Sequence, residues 1–159
     1  MKRVYLTILF ACIFAIGAQA QTPTPTPSDP ATTQGNVSRV TYLDVKTGKG
    51  TEFSNFMRTN NMPLLAEQKR QGLIVDYKYF GKPTTDGPGD WDVAVMITYR
   101  SYAEMIDANP ERGAKFDAIS LKHYGSAEAR TKAGDLIDEL RTVVSSHIIR
   151  EFTINPMKK

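Results

Sequence analysis

Two segments of alternating apolar character, Leu73–Phe80 and Trp91–Tyr99, are joined by the Gly/Pro-rich stretch Gly81–Asp90. A period of two over such short runs marks strands, and a glycine- and proline-rich connection between them marks a hairpin. An amphipathic helical pattern precedes the pair and a longer helical region follows it. A further strand pattern closes each end, Val37–Lys46 and His147–Ile154. The order strand, helix, strand, strand, helix, strand constrains the chain to one compact arrangement. Four antiparallel strands form a sheet, and the helices cover one of its faces.

The first helix is expected to open at the turn Thr47-Gly48-Lys49-Gly50 and to stop at Gly72. Phe53, Phe56, Met57, Asn60 and Leu64 recur at helical spacing, which directs this face to the sheet. Pro63 lacks an amide hydrogen, so the helix should kink or divide within Asn60–Pro63. Ser101-Tyr102-Ala103-Glu104 has the spacing of a capping box, in which serine and glutamate satisfy free amides reciprocally. A short helix there stops before Asn109-Pro110. A second runs from Pro110 to Tyr124 and ends at Gly125. A third starts near Ser126, carries the stripe Ala133, Leu136, Ile137, Leu140 and Val144, and ends before Ser145-Ser146.

In the strand Trp91–Tyr99, the odd positions Trp91, Val93, Val95, Ile97 and Tyr99 are expected to face the helices. Asp92, Ala94, Met96 and Thr98 point the other way, and half of these are apolar. The second sheet face is therefore too apolar for plain exposure. Face-to-face pairing of two copies around a twofold axis covers it, so a homodimer is expected.

The N-terminus is read as a leader and not as part of the fold. Lys2 and Arg3 precede the apolar run Val4–Ile16, and Ala18-Gln19-Ala20 supplies a small-residue cleavage site. This is the pattern of a signal peptide over residues 1–20, with a secreted or periplasmic mature chain starting at Gln21. The run is too short for a comfortable membrane span. Residues 21–36, QTPTPTPSDPATTQGN, form a Thr/Pro-rich linker that favours extended polyproline conformations. It serves as a semi-rigid spacer or an O-glycosylated stalk. The domain occupies 37–156, and 157–159 is a tail.

The single cysteine, Cys12, leaves with the leader. The mature chain then has no disulfide, no thiol nucleophile and no zinc–thiolate site. Removing Lys2 and Arg3 takes the formal charge from +3 to +1, which gives no reason to expect a nucleic-acid partner. Asp86, Asp90 and Asp92 lack calcium-loop spacing, and Gly48-Lys49-Gly50 is not followed by a phosphate-loop pattern, so no metal site is expected.

The βαββαβ order corresponds to an α+β, ferredoxin-like topology. With Gly48-Lys49-Gly50-Thr51-Glu52-Phe53 opening the first helix, Gly72 before the second strand, and Tyr99-Arg100-Ser101-Tyr102-Ala103-Glu104-Met105, the region Val37–Pro156 resembles the dimeric α/β-barrel superfamily. That superfamily includes antibiotic-biosynthesis-type and haem-degrading monooxygenases, stress-responsive barrel proteins and NIPSNAP-like proteins. The resemblance implies a dimer with a cavity between sheet and helices. It also implies a possible cofactor-independent or haem-dependent monooxygenase, or a barrel filled by side chains with a purely structural role. Haem-degrading members use a first-strand Asn, a third-strand-end Trp and a helical His. Here Tyr99 ends the third strand, Trp91 lies at its other end, and Asn36 precedes the first strand, which argues against haem.

Seven residues are candidates for chemistry. His123 lies at a helix end, where a cationic ring also interacts favourably with the helix dipole. His147 opens the last strand, and either histidine titrates near neutrality. Tyr42, Tyr79, Trp91 and Tyr99 offer flat apolar bodies with one polar tip, suited to a small apolar or aromatic ligand and equally to strand packing. Arg150 alternates with Ile148 and Phe152. On a covered face it would need an anion such as Asp44, Asp76 or a ligand carboxylate.

Overall fold

The structure, a computed structural model, describes residues 31–84, 87 and 89–157. The expected leader, most of the Thr/Pro-rich segment, Asp86 and the last two lysines lie outside the described residues. Strand β1 (Thr32–Val45) leads into helix α1 (Gly50–Phe56), a π turn (Met57–Asn61) and helix α2 (Met62–Arg70). The hairpin β2 (Asp76–Gly81) and β3 (Val93–Tyr99) follows. Helices α3 (Tyr102–Ile106), α4 (Pro110–Tyr124) and α5 (Ala127–Leu140) then lead to β4 (Arg141–Ile154). The sheet order is β2-β3-β1-β4 with every neighbouring pair antiparallel, which is the ferredoxin-like arrangement.

The core lies between one sheet face and the helices. Leu43 and Val95 from the sheet meet Phe53, Phe56, Leu65, Ile74 and Leu140. Each such side chain contributes about 1.5–3 kcal/mol on full burial. Register places Tyr42 opposite Ala94, and Val40 opposite Met96 and His147. Since Leu43 and Val45 point to the helices, strand alternation puts Val40, Tyr42, Ala94, Met96 and His147 on the other, outer face. There Ser38 and Thr98, both buried, share a 2.8 Å hydrogen bond.

Several boundaries differ from the sequence expectation, each for a local reason. β1 begins at Thr32, not Val37, because Thr32–Gln34 finds a partner in Phe152–Ile154. β4 begins at Arg141, so Val144, expected on the last helix, lies in a strand at the β-bulge facing Tyr42–Leu43. The run Thr142-Val143-Val144 favours strand, and the long β1 offers it a ladder. β2 starts at Asp76, although Val75 already donates to the Thr98 carbonyl at 2.7 Å.

The first helix is divided just ahead of Pro63, by a π turn whose last residues are Asn60 and Asn61. Met62 donates its amide to the Met57 carbonyl, five residues back. A proline ring clashes with the carbonyl four residues earlier in a regular helix, and the wide turn relieves that clash. The capping box at Ser101 is half formed. Ser101 Oγ accepts from the Glu104 amide at 3.2 Å, whereas the Glu104 carboxylate reaches the Arg100 amide instead of the serine's own. Asn109 and Ser126 cap α4 and α5 in the same way, and Gly125, at φ 78°, makes the left-handed stop between them.

Candidate functional site

An open cleft of about 390 Å³ lies between the helix side of the sheet and α5. Its floor is Thr41 and Leu43 of β1 with Val95 and Ile97 of β3. One wall is Phe56, Met57, Asn61 and Leu64, from α1, the π turn and α2. The other wall is a helical stripe of α5, Arg130, Ala133, Gly134 and Ile137, continued by Arg141, with Tyr124 at one end. The small residues Ala133 and Gly134 leave the space open. A Cβ built on Gly134 would meet nothing within 4 Å.

The π turn aims Asn61 into this region. Asn61 Oδ1 accepts a 2.6 Å hydrogen bond from the Tyr79 hydroxyl, which leaves the amide nitrogen as a donor. Burial pushes the Tyr79 hydroxyl up to about 12, and burial likewise raises that of Tyr124. Both remain protonated donors at neutral pH. Arg130 pairs with Asp117 at 2.9 Å and Arg141 with Asp138 at 3.2 Å, and neither carboxylate lines the cleft. Among the described residues, the lining contains no His, Cys, Asp or Glu. It therefore offers apolar surface and hydrogen-bond donors, but no side chain placed to exchange a proton near neutrality.

The candidates from sequence are dispersed. Only Tyr79 adjoins the cleft, through Asn61 and through a smaller neighbouring hollow lined by Phe53, Met57 and Met62. Tyr99 packs under α4, with the Arg112 guanidinium 5.7 Å from its ring centre. Tyr42, Trp91 and His147 gather on the outer face, with Tyr42 5.1 Å from Trp91 and 5.8 Å from His147, both edge-on. Trp91 thus does not join Val93 and Val95 on the helix side. The regular ladder starts only at Val93, because the Asp92 carboxylate accepts the Val45 amide at 2.8 Å. Lys82 stacks over the Trp91 ring and pairs with Asp90. Arg150, on the edge strand, donates to the Gln34 side chain, and among the described residues it pairs with no carboxylate.

His123 is exposed at the end of α4, its ring 4.8 Å from Tyr124. It borders a separate groove with Glu67, Ile119 and Lys122. Asn36 does lie within β1, at the bulge between Gln34 and Val37. With no histidine lining the cleft, Trp91 on the opposite face and His123 outside, the residues present do not fit a haem there. No group of three or more metal-ligating side chains occurs among the described residues.

Sequence reasoning missed Asn61, Tyr124, Arg130, Gly134 and Arg141. A signal existed: Arg130, Ala133, Gly134, Ile137 and Arg141 fall at helical spacing, with a glycine in mid-stripe and an arginine at each end.

No protein-family model matches the chain, and no curated protein matches it. Among solved structures it is similar to HapK from Hahella chejuensis, at 8% identity over 77% of this chain and 99% of that one, with a TM-score of 0.47. It is also similar to a dimeric protein of unknown function and ferredoxin-like fold from Bacteroides fragilis, at 13% identity, 74% and 96% coverage and a TM-score of 0.42. A dimeric ferredoxin-like protein from an uncultured marine organism gives 12%, 79% and 93%, and 0.41. At these identities and TM-scores the likenesses say nothing of activity. The ferredoxin-like assignment rests on the strand order and register of this sheet.

Proposed function

We propose that this chain is an exported binding protein that takes a small apolar or aromatic molecule into the cleft between α5 and the sheet. The observation that carries the reading is the cleft's composition. Apolar side chains and donors surround an open volume, and Gly134 lines it without a side chain to fill it. Ligand sites are concave and mostly apolar, with a few placed polar groups. The absence of an acid–base side chain from the lining favours binding over catalysis.

The test is thermal denaturation of the exported chain with 2-naphthamide, a neutral aromatic probe. A ligand that binds only the folded state raises the apparent melting temperature. The rise should vanish in Gly134→Leu, which fills the cleft, while far-UV circular dichroism stays unchanged. No rise at saturation with either 2-naphthamide or its carboxylate analogue 2-naphthoate sinks the reading, as does a rise that survives Gly134→Leu.

Two further parts belong to the proposal. The leader is removed after Ala20, which intact-mass measurement of the exported protein checks directly. The chain works as a homodimer through the outer sheet face, which exposes Phe80 and Ile149 beside buried Val40 and Ala94.

A further inference from the structure

We propose that the ligand of this cleft is an anion, an aromatic or alicyclic carboxylate anchored by Arg141. The inference rests on the binding reading above and names its ligand class. The Arg141 side chain is only 20% exposed, at the junction of α5 and β4, where it lines the cleft. A guanidinium held largely out of water needs an acceptor. Its ion-pair partner is Asp138, one turn back on α5 and 72% exposed. Pairs with a solvated partner contribute little, so that carboxylate yields readily to a better-placed one.

The remaining polar groups of the cleft agree in sign. Asn61 and Tyr124 present donors, Arg130 carries a second positive charge, and among the described residues the lining holds no carboxylate that would repel an anion. A guanidinium binds a carboxylate through two parallel hydrogen bonds, which fixes orientation as well as affinity. The apolar floor of Leu43, Val95 and Ile97 then receives the body of the ligand. Eleven residues at about 1.5 Å rise separate Arg130 from Arg141 along the stripe, roughly 16 Å, so the two cations cannot grip one small carboxylate together. Arg141, the more buried of the two, is the anchor, and Arg130 borders the far end of the cleft.

The experiment compares 2-naphthoate with 2-naphthamide, its neutral isostere, by calorimetric titration of the exported chain. The expected result is naphthoate binding at least about tenfold tighter than the amide. Arg141→Gln should bring the two probes to parity by weakening naphthoate far more than the amide, while Arg130→Gln should leave most of the preference. Thermal melts of both variants confirm folding. Equal affinities in the wild type overturn the anion inference and leave the binding reading standing. A preference that survives Arg141→Gln overturns Arg141 as the anchor. Binding of neither probe overturns both.

Discussion

The Tyr79 hydroxyl donates a 2.6 Å hydrogen bond to Asn61 Oδ1, tying the hairpin strand β2 to the π turn that interrupts the first helix. The bond crosses from sheet to helix layer beside the cleft. It holds Asn61 in one orientation, and Asn61 is the polar group that the π turn brings to the cleft wall. π turns recur at functional sites because they re-aim side chains that a regular helix would turn away.

Removing this bond should be measurable. Tyr79→Phe keeps the ring and leaves the half-buried Asn61 acceptor without its donor, at a cost of about 1 kcal/mol in unfolding free energy. Urea denaturation should show a lower midpoint with an unchanged slope. An unchanged midpoint would mean that water replaces the hydroxyl at no cost.

Alkaline pH should act through the same hydroxyl. Its folded pKa, about 12, lies above the ordinary tyrosine value of 10.0, so the unfolded chain releases its proton first. In that window the unfolded state binds fewer protons than the folded one, and stability falls as pH rises. The Tyr79 contribution is complete below about pH 10 and gone above about pH 12. The slope of stability against pH in this range should be shallower in Tyr79→Phe than in the wild type. Equal slopes in the two proteins would assign the alkaline loss to other groups.

Gly134→Ala separates stability from binding. Glycine inside a helix costs up to about 1 kcal/mol relative to alanine. The new methyl enters open space, so the melting temperature should rise. Gly134 lines the cleft, so the added methyl should also weaken the binding of 2-naphthamide. A variant that gains stability and binds the probe as well as the wild type places the ligand elsewhere.

The element order was legible because period-two strands and glycine stops are local signals. Gly72 and Gly125, both at positive φ, end helices as the sequence implied. The start of β4 was not legible. Arg141 and Val144 continue the helical stripe of Leu136 and Ile137, and only the ladder offered by β1 turns them into strand. Trp91 was placed on the wrong face by extending strict alternation through Asp92, whose side chain takes a backbone amide. The cleft stayed hidden because Arg130 and Arg141 look like ordinary solvated helix positions until the sheet supplies a floor. The aromatic candidates were conspicuous as residue types, yet Tyr42 and Trp91 lie on the sheet face that has no helices.

The cap of α5 should matter for that helix. Ser126 Oγ accepts from the Ala129 amide at 3.0 Å. Ser126→Ala removes one of the partners of the free amides at the helix start and should cost about 1 kcal/mol. Ser126→Asp preserves the acceptor and adds a favourable charge at the dipole's positive end, so it should restore the loss. Guanidinium melts of the three proteins decide this, and an Ala variant as stable as the wild type would show that water caps the helix equally well.

The outer sheet face makes the proposed homodimer testable by charge. Phe80 is 44% exposed on β2 and Ile149 50% exposed on β4, at opposite edges of the sheet, with buried Ala94 and Val40 between them. Along β4 the apolar exposure continues at Ile148, so the edge strand is apolar on both sides. An unpaired strand of this kind invites association. A twofold pairing brings each exposed side chain against its copy's equivalent face, so one lysine per protomer introduces two buried charges. Unpaired charges at an interface are strongly unfavourable. Ile149→Lys combined with Phe80→Lys should therefore give a monomer by light scattering at micromolar concentration, where the wild type scatters as a dimer. Both sites are solvent-exposed in the single chain, so the circular dichroism of the variant should match the wild type. A wild-type chain that is itself monomeric under these conditions rules out the pairing, and a variant that stays dimeric moves the interface off this face.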